Sequence, residues 1–302
     1  MRFSIWPGVS SWVDVLEVVS HAEATGWDGA YVADHFMGDA GGFGPADTPM
    51  LEATGVLAAL AAATDRLRLG SLVLGNTYRH PAVLANWAAT VDQISGGRLT
   101  LGVGAGWQEN EHAQYGIRLP PPGERIRRFE EACQVWTGLL RQPTTTVQGD
   151  HYRLTDALCE PKPLQDPLPL LIGGKGDRML GVVARYADQW NMWGLAPTIA
   201  ERATVLARRC EAIDRDPAEI HRSAQALVLL TDDPAKAQQL LDGTGGGRAA
   251  IAGTVDQVTE AVAAWQAIGL DEVIVPDFTL GKGQHRLDRM DAIIEQVAPP
   301  FR

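Results

Sequence analysis

Residues 96–116 read GGRLTLGVGAGWQENEHAQYG. From Arg98 to Val103 the residues alternate and favour strand. The pattern then breaks into Gly104-Ala105-Gly106-Trp107 and a polar run, which reads as a buried strand opening into a loop. Glycines at such a point let the backbone come close to a flat or anionic ligand. The spacing is G-x-G-x-G, and no helical pattern opens directly behind it, so this is not the dinucleotide fingerprint G-x-G-x-x-G. Its weight depends on the surrounding chain, because α/β folds place their chemistry at strand ends when strand and helix alternate.

That alternation runs outward in both directions. Upstream, strands are expected at Arg2–Trp6, Asp28–Ala33 and Leu67–Leu74, with helices from Ser10 or Ser11 to Gly26, from Pro49 to Ala63 and from Pro81 to Ile94. Downstream, Glu124–Arg141 is a strongly amphipathic helix, and Thr144–Leu154, with Gly149-Asp150 at its centre, reads as a hairpin inserted within the fold. Strands follow at Leu168–Ile172, Asp188–Met192, Ala224–Leu230 and Glu272–Val275. The helices between and after them run from Asp177 to Tyr186, Thr198 to Ile213, Val255 to Ile268 and Leu287 to Gln296, with a Gly-rich break at Gly243–Gly247. Eight strand and helix units fit a (β/α)8 TIM barrel of class α/β, a single domain over 1–302 with insertions after the fourth strand and elsewhere at its C-terminal face. A doubly wound open sheet is the alternative.

Composition narrows the class. With 302 residues, 45% of them hydrophobic, the chain can bury a large core without staples. Its net charge of -11 argues against general affinity for nucleic acid or acidic membrane surfaces. Cys133, Cys159 and Cys210 lack metal or disulfide spacing and read as buried thiols. No apolar run is long enough to span a bilayer and the N-terminus runs straight into a strand, so no membrane association and a cytoplasmic location are expected.

In a barrel, residues just after each strand meet at one face. The expected set is Trp6; Asp34, His35 and Phe36; Val73 to Tyr78; Gly104 to Asn110; Gly173 to Asp177; and Trp190 to Trp193. It is rich in rings and glycine and poor in charge, which suits a planar ring system better than a sugar or a metal. Each tryptophan can equally be a core anchor. Asp34-His35 is the acid and imidazole pair at a strand end, read as functional because histidine exchanges protons near neutral pH. Glu109, Glu111 and His112 beside that pair lack metal-site spacing, so no metal is expected. Gly173-Gly174-Lys175-Gly176 leading into a helix offers amides and a lysine to a phosphate, although a plain tight turn also uses glycines.

ADHF at 33–36, NTYRHPAVLA at 76–85, ISGGRLTLGVGAGW at 94–107 with Glu111-His112 and Tyr115-Gly116, LLIGGKG at 170–176 and ARYADQWN at 184–191 together resemble the luciferase-like monooxygenase superfamily. More narrowly they resemble its branch that uses the deazaflavin coenzyme F420. The resemblance implies a deazaflavin across the C-terminal face, with Asp34 and His35 beside the ring as the catalytic pair. It also implies a non-proline cis peptide at Leu72–Val73 as a backstop. Cofactor contacts are implied for Asp34, Leu72, Val73, Gly75, Gly104, Ala105, Gly106 and Asn110, and Gly173, Gly174 and Lys175 would hold its phosphate. Trp6, Phe36 and Trp107 would line the substrate pocket.

One departure matters. Sugar-phosphate and alcohol dehydrogenases of this family carry a glutamate after the first strand and another after the fourth-strand Gly-x-Gly, whereas no acid lies between Trp6 and Trp12 here and Trp107 holds the second place. The expectation is therefore an oxidoreductase moving a hydride between F420 and a small hydrophobic substrate, with His35 handling the proton and oriented by Asp34 or a water. An FMN-dependent two-component monooxygenase and a non-catalytic flavin-binding protein are the alternatives. The apolar side of Glu124–Arg141 and the family habit imply a homodimer.

Overall fold

In the computed structural model, which describes residues 1–244 and 248–302, eight parallel strands close on themselves. They are β1 (Arg2–Trp6), β2 (Gly29–Val32), β3 (Arg68–Ser71), β4 (Leu99–Gly104), β5 (Leu170–Gly173), β6 (Gln189–Trp193), β7 (His221–Gln225) and β8 (Glu272–Pro276). β1 pairs with both β2 and β8, which shuts the cylinder and rules out the open sheet. The family of crossovers puts the helices outside, where Trp27, Phe129, Trp136 and Trp265 are fully buried between helix and sheet.

β3 is shorter than the expected Leu67–Leu74. It breaks after Ser71 and resumes at Leu74–Gly75, and the Leu72–Val73 peptide between is cis, as the resemblance implied. β4 lies close against the break. Ser71 Oγ donates to the Gly102 carbonyl at 2.7 Å and accepts from the Gly102 amide at 3.1 Å. A Cβ at Gly102 would stand 1.8 Å from the Ser71 carbonyl oxygen, so glycine is required by the approach of the two backbones.

The seventh strand differs most from expectation. The barrel strand is His221–Gln225, and Leu227–Leu230, once past Ala226, leaves the barrel to pair in parallel with Ala250–Gly253. The apolar run drew the reading outward, while the true strand begins on polar residues because Ser223 and Gln225 are buried in the barrel and Ser223 bonds Asn191 at 2.9 Å. A helix at Pro234–Gly243, capped by Asp233 through the Ala235 and Lys236 amides, was not anticipated. The rest of the Gly-rich break, residues 245–247, lies outside the described residues. The hairpin is present as Thr145–Gln148 against Arg153–Ala157.

Two further expectations change. The polar run after Gly106 is not all loop, since Glu109–Tyr115 forms a short helix with Glu111 and His112 buried. The apolar side of the long helix, observed at Pro122–Arg141, packs inward with Phe129, Cys133, Trp136 and Leu140 buried, so it offers no argument for a second subunit. No helix among the described residues is long and apolar enough to cross a membrane.

Candidate active site

The C-terminal strand ends surround a cavity of about 940 Å³, within the usual size of a small-molecule or cofactor site. Asp34 and His35 follow β2, yet the two side chains serve different partners. Asp34 is buried and takes a bidentate pair from Arg79, with Nη1 at 2.7 Å and Nη2 at 2.9 Å, together with the Gly75 amide at 2.8 Å. Arg79 also reaches Glu52. Burial works against the Arg79 charge, but the two carboxylates outweigh it and push its pKa further up.

His35 is oriented by Glu111, not by Asp34. Its Nδ1 lies 2.9 Å from Glu111 Oε1, while the Phe36 amide donates to Oε2 at 2.8 Å and the Tyr78 hydroxyl donates to Oε1. Burial alone would raise the Glu111 carboxyl, and these donors hold it below the ordinary carboxylate range. Burial and the adjacent Glu111 push the Tyr78 phenol up, so it remains a donor. The short helix therefore exists to deliver an anion beneath the imidazole. On its cavity side His35 meets Phe43 at 4.9 Å and the edge of Trp107 at 5.4 Å between ring centroids.

Bare backbone forms the cavity wall around Val73. A Cβ at Gly104 would come within 2.7 Å of Val73 Cγ2, and one at Gly173 within 3.1 Å of Val73 Cγ1. The Gly174 carbonyl accepts from Trp190 Nε1 at 2.7 Å, which pins the turn that leads through Lys175 into the helix Asp177–Tyr186.

Of the residues singled out from sequence, Trp6, Asp34, His35, Leu72, Val73, Gly75, Gly104, Ala105, Gly106, Trp107, Gly173, Gly174 and Lys175 all line the one cavity. Phe36 and Asn110 stand away from it. Phe36 stacks on Tyr115 at 5.0 Å and meets the edge of Tyr78 at 4.8 Å, and Asn110 Nδ2 donates to the Gly38 carbonyl at 2.7 Å. Both join the segment after β2 to the helix Glu109–Tyr115. Sequence reasoning passed over Phe43 and Arg248 on the cavity and gave Arg79 behind it no role, and it weighed Glu111 only as a metal ligand. Arg79 lay in view within the motif at 76–85, but nothing in the sequence joins Phe43 to Arg248. Among the described residues no group of three or more His, Cys, Asp or Glu is placed to hold a metal.

A closed barrel with this cavity at its C-terminal face invites comparison with known families. The model of the luciferase-like monooxygenase domain matches residues 2–251. The chain belongs to the luciferase-like monooxygenase family. Among curated members of known name, an F420-dependent glucose-6-phosphate dehydrogenase of Beutenbergia cavernae is 36% identical over 178 residues, 58% of this chain and 51% of that one. The chain thus matches about half the length of that dehydrogenase. An FMNH2-dependent dimethylsulfone monooxygenase of Pseudomonas putida is 27% identical over 257 residues, 72% of this chain and 70% of that protein. Among solved structures, an F420-dependent secondary alcohol dehydrogenase in complex with an F420-acetone adduct superposes with a TM-score of 0.85 over 98% of each chain at 19% identity, a likeness of fold. Family membership accounts for the barrel.

Proposed function

We propose that this protein is an oxidoreductase that moves a hydride between the deazaflavin coenzyme F420 and a small, apolar organic substrate. One observation carries the reading: Asp34 and His35, Leu72 and Val73, Gly104 to Gly106, and Gly173 to Lys175 leave four different strands and face the same cavity. The bare wall at Gly104 and Gly173 suits a flat ring system, because a side chain at either place would occupy the space against Val73. Lys175 and the amides at the start of the helix Asp177–Tyr186 suit a phosphate on its tail.

When bound, the deazaflavin supplies or accepts a hydride at one ring carbon, so two electrons move together. The protein's part is to place an acceptor against that carbon and to provide the matching proton. Glu111 accepts from His35 Nδ1, which leaves Nε2 as the nitrogen that carries the exchangeable proton. The buried carboxylate balances the positive charge of a protonated imidazole, and Phe43 and Trp107 set apolar rings against the cavity side of His35. Asp34, fixed by Arg79 and the Gly75 amide, ties the end of β2 to the chain beyond Val73 and thereby sets the wall.

Fluorescence titration of the purified protein with F420 and with FMN tests the cofactor. Saturable binding of F420 with much weaker binding of FMN is expected, and the reverse order favours the second reading, a two-component monooxygenase, which the Pseudomonas putida relative supports. Turnover of an unsaturated carbonyl, imine or nitro compound with reduced F420 excludes a third reading, a flavin-binding protein without catalysis.

A further inference from the structure

Two helix starts border the cavity. On one side Arg125, in the first turns of the helix Pro122–Arg141, donates from Nη1 to the carbonyl of the cavity residue Gly106 at 2.7 Å. On the other, Lys175 and Met179 line the cavity at the beginning of the helix Asp177–Tyr186, with Arg178 between them in sequence. Arg178 reaches across to the first helix. A Cβ at Gly123 would stand 3.5 Å from Arg178 Nη1 and 3.8 Å from Arg127 Nη1, so two guanidinium groups, one from each helix, flank a single glycine.

Both arginines are exposed, and the acids around them are committed elsewhere. Glu124 accepts from both Nη groups of Arg118 at 2.7 and 2.9 Å, and Asp177 pairs with Arg202 at 2.8 Å. Glu130 pairs with Arg185, and Glu131, one turn beyond Arg127, accepts from the His151 and Tyr152 amides at 2.8 and 3.1 Å. Among the described residues Arg127 and Arg178 therefore stand without an ion pair, a local excess of positive charge in a chain whose net charge is -11. Like charges across one glycine repel, and an anion shared between them relieves the repulsion.

Their position says which anion. The turn Gly173–Lys175 suits the phosphate of the proposed cofactor, and the two arginines lie just past it, on the outer side of the same helix start. FMN ends at its phosphate. Coenzyme F420 continues from its phosphate through a lactyl unit into an oligoglutamate, a flexible string of carboxylates. A guanidinium presents a planar fork to a carboxylate, and two exposed forks can follow a string whose carboxylates keep no fixed spacing.

We propose that Arg127 and Arg178 bind the oligoglutamate tail of F420, taking its carboxylates as the tail leaves the phosphate at Lys175. This rests on the F420 reading and favours it over the FMN one, because FMN has nothing to offer the two arginines. Each contact is exposed, so it is modest and screened by salt, and the effect accumulates along the tail.

The test is fluorescence titration of the full-length protein with F420 lacking glutamate, F420 carrying one glutamate and F420 carrying a long oligoglutamate. At low salt the long form should bind at least about tenfold more tightly than the glutamate-free form, a difference of about 1.4 kcal/mol, with the single glutamate between them. In about 1 M salt, where the Debye length falls to about 3 Å, the gap should close to within about twofold. Arg127→Gln with Arg178→Gln should close it to within about threefold at low salt and leave the glutamate-free form bound as before. The charge-reversing pair Arg127→Glu with Arg178→Glu should make the long form the weaker ligand. Arg209→Gln, which removes an exposed charge from the last turn of the helix Ala196–Glu211, should leave the gap unchanged. Equal binding of the three forms, a gap that survives high salt, or a gap that survives Arg127→Gln with Arg178→Gln would each overturn the proposal while the hydride-transfer reading stands. Failure of every form to bind saturably overturns both.

Discussion

His35 Nδ1 stands 2.9 Å from the buried Glu111 carboxylate, while Asp34, its neighbour in sequence, is turned to Arg79. The adjacent acid and base form two separate units, one holding an imidazole and one holding a wall.

Glu111→Gln keeps the shape and removes the charge, so His35 loses its anionic acceptor. Turnover should fall by about 10²-fold, within the range of general acid–base contributions. The pH dependence should change as well. The folded-state pKa of Glu111 lies below its ordinary value, so the stability it contributes is present above about pH 4.5 and is lost as pH falls through the folded value. Urea midpoints measured from pH 5 to pH 2 should therefore drop more steeply for the wild type than for Glu111→Gln.

Arg79→Met strands the Asp34 carboxylate in the interior and should cost about 3–5 kcal/mol of stability. The double variant Asp34→Asn with Arg79→Met should cost less than Arg79→Met alone, because no buried charge is left over. Equal or additive losses in urea unfolding would show that the pair is not coupled.

Gly104→Ala places a methyl against Val73 Cγ2 and pushes that side chain into the cavity. Overpacking of this kind costs about 1–3 kcal/mol, and F420 affinity should fall by about tenfold. Gly181→Ala, inside the helix Asp177–Tyr186 where a Cβ meets nothing within 4 Å, is the matched control and should leave F420 affinity unchanged.

His35→Ala should lower turnover by about a hundredfold or more with a much smaller effect on F420 affinity, since the ring contacts expected of the wall glycines persist. Pre-steady-state hydride transfer and equilibrium titration separate the two effects. Equal loss of both would assign His35 to holding the cofactor.

Much of the barrel was legible because its strands are buried on both faces and are punctuated by glycine and proline. The seventh strand was not, because its inward positions, Ser223 and Gln225, are polar, and a more apolar run beginning at Leu227 follows directly. Strand ends pointed to Asp34, His35 and the glycines, since topology alone gathers them. Partners were harder. Adjacency suggested Asp34 for His35, whereas the acid that reaches it lies 76 residues later on a helix too short and polar to show a periodic pattern. Arg248 had no local signal at all, because its neighbours Phe43 and Trp193 come from distant loops and strands.

The close approach of Gly102 to Ser71 has an evolutionary consequence. A side chain at position 102 would meet the Ser71 carbonyl oxygen, which belongs to backbone and cannot swing aside, so any larger residue there would have to part β3 from β4. Descendants should therefore keep this glycine while the ligand they accept changes around it, leaving position 102 silent in the record of which substrate each lineage took.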